Sequence, residues 1–192
     1  MPVGAIIAIV VIAILLILIA LVWGTYNGLV KVNERVNEAW SDITVQLKYR
    51  ADLIPNLVET VKGYATHEKA AFEDVTKARS AVMSAKGVKD TAAADQTLEG
   101  ALSKIFAIAE SYPELKANTN FQELQLQLQD VEDKIQAARR FYNAGAKELN
   151  TKVKLFPSNF INNLFLHFKT RDYYEVAEAE RAKIENAPEV KF

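Results

Sequence analysis

Hydrophobic and polar positions divide the chain into one unbroken apolar block followed by amphipathic stretches. Val3 to Trp23 is a 21-residue run of Val, Ile, Leu, Ala and Gly4, closed by Trp23. A helix of that length rises about 30 Å, one hydrocarbon core, so the run predicts a transmembrane helix. A cleaved secretory signal would need a basic start, a shorter apolar stretch and a small-residue cleavage site. Met1-Pro2-Val3-Gly4 carries no basic side chain, and Ala20-Leu21-Val22 ends on a poor cleavage residue, so an uncleaved anchor is the expectation. Trp23 and Tyr26 fall where an interfacial aromatic belt belongs, because their rings are apolar while N–H and O–H prefer water.

Beyond the anchor the apolar period changes to steps of three and four. Leu29, Val36, Trp40, Ile43 and Leu47 form the first stripe, with Asn33 in its gap. No proline separates this stripe from the anchor, so the two can run as one rod. At Arg50-Ala51-Asp52-Leu53-Ile54-Pro55-Asn56, Pro55 lacks the N–H that a helix interior requires. The expectation is a chain reversal there, with Asp52 as N-cap and Pro55 in the first turn of a second helix. That helix carries Leu57, Val61, Ala65, Phe72, Val75 and Val82, and Gly87 stops it. A third stripe follows a polar connection at residues 90–95: Leu98, Leu102, Ile105, Ala109 and Tyr112, cut by Pro113. The fourth is the most regular. Phe121, Leu124, Leu128, Val131, Ile135, Ala138, Tyr142, Gly145 and Leu149 alternate steps of three and four, a seven-residue coiled-coil-like repeat. Gly145 in that stripe is expected to permit close helix approach. After Pro157, residues 158–168 place Phe160, Ile161, Leu164, Phe165 and Phe168 on one face of a short amphipathic helix. It either caps the bundle or lies on the membrane. The cap is the expected placement, since its polar face holds Asn rather than Lys or Arg. Further helical turns are expected through residues 175–186.

The pattern therefore predicts an all-α protein: an N-terminal single transmembrane helix, an antiparallel up-and-down four-helix bundle and a short amphipathic C-terminal helix. The expected divisions are an anchor over residues 1–25, a bundle over 26–156, and short helices and tail packing on the bundle over 157–192. The expected core includes Trp40, Leu128, Val131, Ile135 and Leu149. Gly4 with Ala8, and Ala20 with Gly24, make small-xxx-small pairs at which two spans can pack closely, although such pairs also arise by chance in an Ala-rich span.

Charge changes the picture only by exclusion and orientation. The 23 Lys/Arg and 24 Asp/Glu all lie at or after Lys31, giving a net charge of -1 and no concentrated basic face for nucleic acid. Lys31 and Arg35 follow the span and no cation precedes it, which favours the N-terminus outside and the bundle in the cytoplasm, at the cell (inner) membrane. The chain has no cysteine, hence no disulfide, thiolate ligand or cysteine nucleophile. His67 and His167 lack the Glu-x-x-His or His-Glu-x-x-His companions that metal sites on helices use. No Gly-rich phosphate loop occurs. The expectation is no catalytic residue, no bound metal and no cofactor. Glu68 lies on the second stripe, either reaching water at the bundle edge or buried beside a cation such as Arg50 or an Arg of the fourth helix.

Several segments resemble the LemA family: Tyr26-Asn27-Gly28-Leu29-Val30, Trp40, Leu47-Lys48, and Asp52-Leu53-Ile54-Pro55-Asn56-Leu57-Val58 with Tyr64, His67 and Glu68. Further matches are Phe121-Gln122-Glu123-Leu124-Gln125, Arg140-Phe141-Tyr142-Asn143, Phe156-Pro157 and Pro188-Glu189-Val190-Lys191-Phe192. The resemblance implies a membrane helix, a four-helix bundle and partnership with membrane proteins, metalloproteases among them, rather than catalysis. An unrelated sensor kinase shares the family's name, and no kinase machinery is present here. The expected function is a membrane-anchored helical scaffold that self-associates in the bilayer. A monomeric, membrane-tethered adaptor for another membrane protein is the alternative.

Overall fold

The computed structural model describes residues 3–175. Among these no strand occurs, and four long helices carry most of the chain. They are α1 (Val3–Lys62), α2 (Lys69–Ser84), α3 (Gly87–Glu110) and α5 (Thr119–Lys152), with the single turn α4 (Pro113–Lys116) between the last two. The short α6 (Ser158–Ile161) continues into a π-helical turn over Asn162–Leu166. The helical turns expected over residues 175–186 lie outside the described residues.

The apolar span and the first amphipathic stripe form one continuous helix, α1, of 60 residues. Its N-terminal part is long and apolar enough to cross a membrane, with a mean hydropathy of 3.7, and none of that stretch is buried. At Lys31 the character changes. Val32, Val36, Ile43, Leu47, Ala51, Ile54, Leu57 and Val61 follow as one buried face of the same helix.

The expected reversal at Asp52 to Pro55 does not occur. Helix α1 runs through both residues, with Pro55 in its interior and both side chains exposed. A proline at this position deprives the Ala51 carbonyl, four residues earlier, of its helical N–H partner. Arg79 of α2 supplies the missing donor: its Nε–H donates to the Ala51 carbonyl at 2.7 Å. Ala51 is fully buried, so that oxygen would otherwise be an orphaned acceptor, at a cost of about 1–3 kcal/mol. Asp52 lies 3.9 Å from the same guanidinium. The chain turns instead after Lys62, where the amides of Tyr64 and Ala65 both donate to the Val61 carbonyl.

Helix α2 ends at Ser84, and a two-residue connection leads to Gly87, whose φ of +77° is the left-handed conformation that glycine adopts without strain. Helices α2 and α3 pack on one another, and Lys104 pairs with Asp74 at 2.9 Å.

The chain forms two compact units, and both long helices α1 and α5 contribute to each. One comprises residues 3–39 and 142–171, the other residues 40–141 and 172–175. In the first, Leu29, Val32, Val36 and Ala39 of α1 and Tyr142, Ala146 and Leu149 of α5 are buried with Ile161. A Cβ added at Gly145 would stand 3.1 Å from Val36 Cγ2, so glycine gives the close approach expected of it. Asn33, in the gap of the first stripe, is buried here. Its Oδ1 accepts a hydrogen bond from Arg171 Nη2 at 3.0 Å. The second unit buries Ile43, Leu47, Leu57, Phe72, Val75, Leu98, Leu102, Ile105, Leu115, Leu128, Val131 and Ile135.

Candidate functional site

The densest polar chemistry lies inside the second unit, on the apolar stripes themselves. Stepping back from Leu98 by three and then four residues puts Asp95 and Thr91 on the buried face of α3. Three after Leu47 comes Arg50 in α1, and four after Ile135 comes Arg139 in α5. The helical period thus sends three charged side chains into the packed region. The Asp95 side chain is 0% exposed and that of Arg50 2%. Asp95 Oδ1 faces Arg50 Nη2, and Oδ2 accepts from Arg139 Nη2. The Tyr174 hydroxyl donates to the same Oδ2 at 2.5 Å. Arg50 Nη1 reaches Glu132 Oε2 at 2.6 Å, and Gln136 Nε2 donates to Glu132 Oε1 at 2.8 Å. The Arg139 guanidinium lies 5.1 Å from the centre of the Tyr174 ring, and Trp40 packs against that ring from α1 with centroids 6.5 Å apart.

Two guanidinium groups and two carboxylates leave the cluster neutral, the condition under which charges survive burial. Burial lowers the Arg50 pKa, and the nearby Glu132 carboxylate opposes that shift. A guanidinium starts so high that it stays protonated. Burial also pushes the Tyr174 hydroxyl above its ordinary value, against the opposing pull of Arg139. Asp95 Oδ2 receives two donors, from Arg139 and Tyr174, while Oδ1 faces the Arg50 guanidinium as an ion pair without a hydrogen bond. The geometry suits a clamp that ties α1, α3 and α5 to the segment carrying Tyr174. Beside it opens a cleft of about 260 Å³ lined by Arg50, Glu99, Leu102, Ser103, Phe106, Gln125, Leu128, Gln129, Glu132 and Asp133. Its volume is below the usual range for pockets that enclose a small organic ligand.

Other residues singled out by sequence are placed as follows. Gly4, Ala8, Ala20 and Gly24 are exposed on the span, and nothing lies within 4 Å of a Cβ added at Gly4 or Gly24. Trp23 and Tyr26 are exposed at the end of the apolar stretch, and the Tyr26 ring meets Phe165 edge to face at 6.5 Å. Leu128, Val131 and Ile135 are buried in the second unit and Leu149 in the first, while Trp40 is half-buried. Glu68 is half-buried just before α2, and both histidines are exposed. Among the described residues no cluster of three or more His, Asp or Glu side chains is arranged to hold a metal ion. Sequence reasoning missed Asp95, Arg139, Glu132 and Tyr174. The signal for the first two was present, as charged residues at stripe positions.

Residues 39–192 match the LemA family. Among curated proteins, the chain is 24% identical to magnetosome protein MamQ 2 of Paramagnetospirillum magneticum, over 91% of this chain and 73% of that one. It is 24% identical to MamQ of Magnetospirillum gryphiswaldense, over 90% and 72%. It is 27% identical to protein LemA of Metamycoplasma hominis, over 84% and 72%. The match spans most of the chain and includes the helices that build the buried cluster, and the protein therefore belongs to the LemA family.

Proposed function

We propose that this protein is a non-enzymatic, single-pass membrane scaffold that self-associates in the bilayer. The observation that carries this reading is the exposed apolar span of α1, none of which is buried and which continues without a break into a folded helical region. In a bilayer such a span packs on lipid or on another span, and Gly4, Ala8, Ala20 and Gly24 offer the small-residue surface for the latter. The long helices α1, α2, α3 and α5 are arranged as an antiparallel up-and-down four-helix bundle, a layout supported by the two-residue connection between α2 and α3. The Asp95 carboxylate, fully buried and ion-paired to Arg50 and Arg139, fits a structural centre better than a catalytic one. Lys31 and Arg35 after the span, with no cation before it, support a bundle on the cytoplasmic side of the inner membrane. A cysteine introduced at Lys89 should accordingly resist an impermeant thiol reagent in intact spheroplasts, and ready labelling there would reverse the orientation.

The test of self-association is the mass of the full chain in detergent and in lipid nanodiscs, by light scattering. The expected result is a defined oligomer that dissociates when Gly4, Ala8, Ala20 and Gly24 are all replaced by Leu. A monomer in both media would overturn it in favour of a tethered adaptor for another membrane protein, such as a metalloprotease.

A further inference from the structure

We infer that residues 155–166 form a second membrane contact, an aromatic foot that inserts into the lipid interface beside the anchor. The inference rests on the reading of α1 as a membrane span. Four observations carry it, all within the unit of residues 3–39 and 142–171.

The segment displays large apolar side chains outward: Phe156 is 83% exposed, Phe160 65%, and Leu155, Leu164 and Phe165 each more than half. Such a concentration is unusual in a short surface segment facing water. Secondly, the display is held from behind. Ile161 and Asn162 are buried. The Asn162 side chain accepts from the Phe168 N–H at 2.9 Å and donates to the Phe168 carbonyl at 3.0 Å, while its own carbonyl accepts from the His167 N–H at 2.7 Å. Asn162 at the start of the π-turn is thereby bonded to His167 and Phe168 just past its end, which satisfies those backbone groups within the protein, as a medium poor in water favours. Thirdly, the position is continuous with the anchor. Phe165 packs on Tyr26 and lines one groove with Leu18, Val22 and Trp23 of the span, so the foot stands at the level where the aromatic belt meets the lipid. Fourthly, Lys154 and Lys169 flank the segment and are exposed, where their ammonium groups can meet headgroup phosphates.

The placement differs from the expectation of a cap on the bundle. The lack of Lys or Arg within the segment argued for a cap, but the cations stand just outside it, and the apolar ring edges face away from the buried side. A lipid interface fits this surface better than a second copy of the chain does, because the surface is an extension of one that already faces lipid.

The test uses the full chain in vesicles of phosphatidylcholine with a minority of phosphatidylglycerol. The absence of native cysteine allows single-cysteine nitroxide labels at Phe156, Phe160 and Phe165, with Val11 as the mid-span control and Lys77 as the water control. Each label is read by its collisions with oxygen, which concentrates in lipid, and with a water-soluble nickel chelate. The foot labels should show an oxygen-to-nickel ratio on the order of tenfold above that at Lys77, approaching that at Val11. Nickel access equal to that at Lys77, with Val11 still in lipid, would overturn the foot and spare the anchor. Low access to both reagents would overturn it too, since protein and not lipid would then cover the segment. If the Val11 label met nickel freely, the anchor itself would fall. The full-length F156S/F160S/F165S variant should keep the circular-dichroism signal of the parent and lose the oxygen preference of a label at Leu164; an unchanged preference there would also count against the foot.

Discussion

In the unit of residues 3–39 and 142–171, the polar groups drawn inward are neutral amides. Asn33 and Asn162 are buried, and Asn150 exchanges two hydrogen bonds with the Arg171 backbone at 2.7 and 2.8 Å. Its cross-helix ion pair, Arg35 with Glu148 at 3.3 Å, lies in the open. The unit of residues 40–141 and 172–175 buries full charges, Arg50 and Asp95, with Arg139 and Glu132 around them. Burying an amide costs little once it is hydrogen-bonded. Burying an ion costs far more and tolerates no missing partner. Among the described residues, the unit that carries the apolar span thus buries neutral amides, one of them reached by the Arg171 guanidinium, whereas the other buries a set of paired charges.

Removing one member of that set should have the largest effect. Asp95→Ala leaves two guanidinium groups buried without their carboxylate and should destabilise by about 3–5 kcal/mol, measured by thermal or urea denaturation of the full chain. A loss below about 1 kcal/mol would mean that water reaches the cluster and that the contrast between the units is superficial. Next comes Tyr174→Phe, which deletes a hydrogen bond to a charged acceptor and should cost about 1.5–3 kcal/mol. The same residue sets an alkaline limit. Its pKa is raised above 10.0 in the fold, so above that pH the folded state keeps a proton that the unfolded chain has released. The contribution of Tyr174 is complete below about pH 10 and falls as pH rises through the folded pKa. Tyr174→Phe should flatten that part of the stability profile, and an unaltered slope would show the hydroxyl to be in contact with water.

A third prediction concerns the carbonyl at Ala51. Arg79→Met should cost about 1–3 kcal/mol in the native chain. In a Pro55→Ala background, where residue 55 regains an N–H for that carbonyl, the cost should shrink toward zero. Equal costs in both backgrounds would mean that Arg79 acts through Asp52 or packing alone. The smallest effect belongs to the other unit: Glu148→Gln should change stability by less than about 1 kcal/mol and less still in high salt. A loss as large as that of Asp95→Ala would erase the distinction between the two units.

Much of this was legible from residue order. The span, the rod-like continuation of α1 and the helices α3 and α5 follow from period and from the absence of breakers. The end of α1 was not, because Pro55 is a sound reason to end a helix unless a donor from elsewhere replaces its N–H. That donor, Arg79, lies a helix away in sequence, and nothing in its place between Val75 and Val82 marks the Ala51 carbonyl as its partner. The buried cluster was half legible. Asp95, Arg50 and Arg139 all occupy stripe positions, but reading residues 90–95 as a polar connection hid the first. Tyr174 belongs to a segment without regular structure, so no periodicity marks it.

The long reach of the pairings also has a consequence in time. Arg35 meets a partner 113 residues downstream, and Asn33 meets one 138 residues downstream. Ribosomes add about 5–20 residues per second, so some 5 to 25 s pass between the synthesis of Arg35 and that of Glu148. During that interval the apolar face of α1 at Leu29, Val36 and Ile43 is already made, tethered by its own leading segment, while α5 does not yet exist. Nascent chains on neighbouring ribosomes present the same uncovered face in the same orientation, which makes the period before α5 emerges the time when this sequence is most exposed to pairing with the wrong copy.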